Sequence, residues 1–166
     1  MPADPTAALN RQLLRHAVAT VAYRGGKALR AAPDGFAEFQ VREGSRTPGE
    51  ILAHISDVLD WGLTLAKGSE KYHVADCLPW DKASRRFFAS LEALDAYLAS
   101  NAPVACSPEK LLQAPIADAL THVGQIAMLR RLAGHPIRPE NYYLAEIVTG
   151  RAGAQQPEPK LEFDSE

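Results

Sequence analysis

Thr47-Pro48-Gly49-Glu50-Ile51-Leu52-Ala53-His54 is the stretch from which the fold can be read. Thr47 can cap a helix, Pro48 suits the first helical position, and the Glu50 carboxylate can accept from the Thr47 amide. A helix is therefore predicted from Pro48 to about Lys67, with Gly68 as its stop. Ile51, Ile55 and Val58 form an apolar stripe along it. Glu50, His54, Asp57, Trp61 and Leu65 recur at intervals of three and four and form the neighbouring stripe. An imidazole thus lies at or beside the face that must be buried.

The same period recurs on both sides of this helix. Ala7 to Arg30 reads as a first helix, with Leu13, Leu14, Val18, Val21 and Ala22 on a broad inner face. Gly25-Gly26 within it marks an irregularity or a close helix approach; the spacing needed for a phosphate loop is absent. Pro33-Asp34-Gly35 is a turn, and Phe36, Phe39 and Val41 pin it to the core. Trp80 to about Ser100 forms a third helix through Phe87, Leu91, Leu94 and Leu98. A short helix near Pro108 to Leu112 is expected to break at Pro115. A long helix then runs from Pro115 to Ala133, ended by Gly134 and Pro136. Pro139 to Val148 is read as one further short helix. Four substantial helices imply an all-α four-helix bundle over residues 1–150. Residues 151–166, with two prolines and four acidic side chains, are expected as a flexible tail.

Bulk properties narrow the function classes. The 166 residues suit one domain, and 46% apolar with 23% charged residues is ordinary for a globular chain. The net charge of -2, without a basic arm, gives no reason to expect nucleic acid as a partner. No apolar run is long enough to span a bilayer, and Met1 to Asn10 lacks the pattern of a secretory signal, so a cytoplasmic setting is expected. Cys77 and Cys106 form no CxxC pair, and a single bridge between them stays open.

The chemistry-bearing residues lie on two helices. Asp118, His122, Gln125 and Leu129 form one stripe of the last long helix, bordered by Ala119, Val123 and Ile126. A carboxylate, an imidazole and an amide on successive turns are costly inside a bundle unless they have partners. A divalent cation is one such partner, and bundles hold metals through side chains on facing helices. Asp118 and His122 have chelating i, i+4 spacing, and so do Glu50 and His54. Two histidines and a carboxylate leave coordination positions for water or substrate. The alternative is a metal-free cluster in which Asp118 pairs with His122.

Two segments together resemble the DinB/YfiT-like family of metalloenzymes. Thr47 to His54 is similar to the family segment that opens its second helix and ends in a ligand histidine. Asp118-Ala119-Leu120-Thr121-His122-Val123-Gly124-Gln125-Ile126, followed by Leu129-Arg130, resembles its fourth-helix signature of two histidines four apart and a following Gly-Gln pair. The resemblance extends from about Leu13 to Gly134. It implies His54 and His122 as ligands. Asp118 stands where the family has its first histidine of the pair, which makes for a harder site than three histidines. Gln125 and Asp57 are expected to orient the ligands or a bound water, with Trp61 and Leu129 as pocket walls. The resemblance further implies crossover connections, a homodimer and a small-molecule substrate. The metal would be zinc, nickel, iron or manganese, and a low-molecular-weight thiol is a candidate cofactor.

Other residues have simpler explanations. His73 and Cys77 share a loop without a second pair to complete a site. His16 is expected at the surface. His135, Arg130 and Arg131 complement a helix C-terminus. Asn141-Tyr142-Tyr143 packs a last short helix or contributes to a pocket mouth or dimer contact. Two functions follow: a metal-dependent transferase, isomerase or hydrolase-like enzyme, or a non-catalytic helical stress or interaction protein with a structural His/Asp cluster.

Overall fold

Thr47 starts α2 as its sequence demands. Its hydroxyl accepts from the Glu50 amide at 3.2 Å, and the Glu50 carboxylate accepts from the Thr47 amide at 2.8 Å. Such a cap contributes about 1 kcal/mol. It fixes where α2, Pro48–Ala66, begins, and Gly68 ends it in the left-handed region at φ 71°. The computed structural model describes residues 5–164. The first four positions of the expected domain and the last two of the expected tail lie outside the described residues.

The other helices are α1 Pro5–Leu29, α3 Trp80–Ala99, α4 Pro108–Leu111 and α5 Ala117–Leu132. A 3₁₀ turn spans Phe36–Glu38. No strand forms among the described residues, only an isolated bridge between Glu140 and Glu162. No helix is long and apolar enough to cross a membrane. Both α1 and α2 pack against α3 and α5, so α1 and α2 face each other across a diagonal. The α1–α2 and α3–α5 connections therefore cross over the bundle. Leu52, Ile55 and Leu59 of α2 meet Val18, Phe87, Leu91, Leu94 and Ile126 in one apolar core.

Several expectations are corrected. Pro115 does not break the last helix. Leu112–Ile116 forms a wider π turn that joins α4 to α5 without interruption. A proline has no amide hydrogen to lose there, and a π bulge absorbs its ring. Leu13 faces outward, as does Val41, whereas Phe36 is buried. Pro139 to Val148 forms separate turns instead of a helix. The Asn141 side chain accepts from the Tyr143 amide and holds the chain in a turn.

Residues 151–164 do not form the expected loose tail. Ala152 is buried in the core, and the Phe163 amide donates to the Pro139 carbonyl. Lys27 bridges Glu140 and Glu162. A polar composition misled here because the segment buries only one small apolar residue, Ala152, and its anchors are charged.

Gly25 marks a close helix approach. A Cβ there would lie 2.4 Å from the fully buried Phe87 ring, whereas at Gly124 it would meet nothing within 4 Å. Gly25→Ala should therefore lower stability by about 1–3 kcal/mol through overpacking. Gly124→Ala should raise it by up to about 1 kcal/mol through helix propensity. Urea denaturation midpoints check both signs; an unchanged midpoint for Gly25→Ala would contradict the tight contact.

Candidate metal centre

Contacts along α2 and α5 run in opposite directions. Gly62 meets Pro115, His54 meets Asp118 and His122, and Ile51 lies near Gln125 and Leu129. The two helices are antiparallel, and the residues singled out from spacing converge near the middle of their seam. His54 Nε2 lies 3.4 Å from Asp118 Oδ2, and His122 Nε2 lies 3.6 Å from Asp118 Oδ1. The two imidazole rings meet edge to face with centroids 4.7 Å apart. One donor atom from each of the three residues falls within 4.8 Å of the others. All three side chains are partly exposed, Asp118 most of all.

Each imidazole is also held from behind. His122 Nδ1 and Gln125 Oε1 are 2.9 Å apart. An amide oxygen can only accept, so Nδ1 carries a proton, and in the neutral ring Nε2 then presents a lone pair. In that form the lone pair faces an Asp118 carboxylate oxygen, acceptor against acceptor. A cation between them relieves the opposition. Donors bound at about 2.0–2.2 Å around one ion stand about 3–3.6 Å from one another. The two histidine–aspartate separations fall in that range but end on different Asp118 oxygens, and single donor atoms from the three residues lie within 4.8 Å of one another. The donor set therefore fits a divalent ion once the side chains draw together.

His54 Nδ1 lies 3.3 Å from the Tyr72 hydroxyl. Tyr72 comes from the connection between α2 and α3, which sequence periodicity could only describe as a loop. Burial, with the charges of Asp57 and Asp118, pushes its hydroxyl up from the ordinary tyrosine value, while Arg46 pulls it down. Trp61 does not reach the histidines directly. Its ring packs edge-on against Tyr72 at 6.0 Å, so it walls the site through that residue.

Asp57 likewise acts at one remove. It is buried and accepts from Arg86 Nη2 at 2.6 Å and from the Ala75 amide at 3.2 Å. The expectation that it orients a ligand directly is corrected: its carboxylate is committed to Arg86 and to the loop that carries Tyr72. Arg86 Nη2 also donates to Asp60 at 2.8 Å. A carboxylate on the inner flank of α2 with an arginine on α3 was visible in the sequence, but their pairing was not. Leu129 is buried and lines an adjoining cleft with Gln125. Glu50 is used by the α2 cap and is not a ligand.

The remaining candidates stay apart from this centre. His73 is exposed, and Cys77 and Cys106 are free thiols, with burial pushing Cys106 up. His16 is exposed and meets Thr149. His135 caps through its backbone, donating its amide to the Arg130 carbonyl. Arg130 complements the C-terminal end of α1 as well as its own: it is buried and donates to the carbonyls of Ala28, Arg30, Ala31 and His135. Tyr142 stacks with Arg24 and meets Tyr23, whereas Tyr143 projects into solvent.

Comparison with protein-family models, curated proteins and solved structures gives no match for this chain.

The Gln125 contact makes a measurable demand. In the neutral ring, nitrogen-15 shifts of His122 should show Nδ1 protonated and Nε2 bare. Gln125→Leu should shift the ring toward the Nε2–H tautomer. A wild-type ring already in the Nε2–H form would remove the basis for an acceptor facing Asp118.

Proposed function

We propose that the chain is a divalent-metal-dependent enzyme of the DinB-like type, with His54, Asp118 and His122 as the ligands. The observation that carries this reading is the convergence of two imidazoles and a carboxylate from facing helices, with Gln125 holding the outer nitrogen of His122.

A bound divalent ion would supply Lewis acidity toward a thiol, a water or a carbonyl oxygen. The protein's own residues prepare the place. Gln125 fixes the tautomer and ring plane of His122. Tyr72 meets the outer nitrogen of His54, and Asp57 steadies the loop from which Tyr72 comes through the Ala75 amide. Asp118 contributes the one negative charge among the three donors. Three protein donors are fewer than a divalent ion commonly takes, which leaves places for water or substrate.

The reaction class follows from the sequence resemblance. That resemblance supports a thiol-dependent transferase or isomerase acting on a small molecule, with zinc, nickel, iron or manganese as the metal and a homodimer as the assembly. A stress-related binding protein with a structural His/Asp cluster is the second reading, favoured by the partial exposure of all three side chains.

Metal analysis of the purified protein separates the two. Wild type should carry one divalent ion per chain. His54→Ala and His122→Ala should lose it, and a chelator should lower the melting temperature of wild type alone. Gln125→Leu should weaken metal affinity about 10- to 100-fold. Equal metal content in wild type and both histidine variants would defeat the proposal, as would a melting temperature indifferent to chelator.

A further inference from the structure

The α2/α5 seam continues past the histidines into a cleft of about 430 Å³. That size falls among small-molecule sites. Ile51, one turn before His54, and Leu129, two turns beyond His122, form its walls. Met128 forms another wall with 52% of its surface exposed. Gly124 leaves the floor open, since a Cβ there would touch nothing within 4 Å. The Thr121 hydroxyl is turned to its own helix, donating to the Ala117 carbonyl at 2.9 Å. Gln125 belongs both to the cleft and to the support of His122.

Among the described residues, Arg46 is the one charged side chain lining this apolar space. It is exposed and makes no ion pair or hydrogen bond among the described residues. A free guanidinium thus stands at the rim of the cleft. Guanidinium groups bind carboxylates through paired N–H donors.

We infer that this cleft binds a small amphiphilic carboxylate, with its apolar body between Ile51, Met128 and Leu129 and its anionic group on Arg46. The inference rests on the proposed metal enzyme only in making this ligand its substrate class; the binding itself needs no metal. A second copy of the chain fits less well, because an apolar face closing over Arg46 would strip water from an unpaired charge.

Octanoate and octanol serve as probes, titrated into full-length wild type, Arg46→Gln and Gly124→Leu, each with chelator and again with zinc. Backbone amide shifts in two-dimensional NMR locate the binding, and circular dichroism confirms that each variant is folded. Octanoate should move the amides of residues 121–129 and bind about fivefold tighter than octanol. Arg46→Gln should remove that advantage and leave octanol binding unchanged. Gly124→Leu should abolish binding of both probes by filling the floor.

The inference is overturned if octanoate gains nothing over octanol, or if Gly124→Leu binds as wild type does. It is equally overturned if octanoate binding requires zinc and ignores Arg46, in which case the metal reading stands alone. Self-association of wild type that Gly124→Leu abolishes, with no octanoate binding, would give the cleft to a second copy. Octanoate binding as expected in a protein that holds no zinc would sustain the cleft and defeat the metal centre.

Discussion

The close approach of α2 to α5 governs everything that gives this bundle chemical interest. Gly62 makes it possible: a Cβ there would stand 2.8 Å from the Pro115 side chain. The π turn at Leu112–Ile116 accommodates Pro115 within a continuous helix, and the missing side chain at position 62 receives it. With the helices this near, the rings of His54 and His122 meet across the seam. A bulkier residue at position 62 would separate the helices at the end of the seam nearest Asp118. The polar trio is therefore a consequence of backbone packing as much as of its own side chains.

Helical spacing made most of this arrangement legible. His54, Asp118 and His122 could be placed on inner flanks because each has apolar neighbours three and four residues away. The capping box fixed the start of α2 to the residue, since it depends on two side chains three positions apart and nothing distant. Tyr72 was illegible for the opposite reason: its position follows from a loop held by Asp57, a contact with no periodic trace. Pro115 was misread because the rule for proline in helices assumes α geometry. Leu13 was misread because one face of a helix, drawn too broadly, takes in residues that look outward. The partnership of Arg130 with α1 could not be read from a charge near a helix end; it joins residues about a hundred positions apart.

Buried and half-buried charges hold the irregular segments in place. Arg86 with Asp57 anchors the α2–α3 connection, and Lys27 and Tyr23 with Glu140 anchor the chain after α5. Such pairs add little net stability, because desolvation offsets most of their attraction. Removing one partner is another matter, since it strands the other in a poorly solvated place. Their effect is thus on where a segment lies more than on how firmly the whole chain is folded. Both segments that composition described as featureless are fixed in this way.

Arg130 has a bearing on the order in which the molecule can be completed. The carbonyls after the last turn of α1 receive its guanidinium, and Ala31 adopts a left-handed conformation beside it, at φ 50°. During synthesis the first helix emerges long before residue 130 exists. Until then its final turn has only water to satisfy it. The N-terminal fifth of the polypeptide must wait for nearly four-fifths of the chain before its own boundary is fixed, one late and distant closure in a fold otherwise built from helices that can form locally.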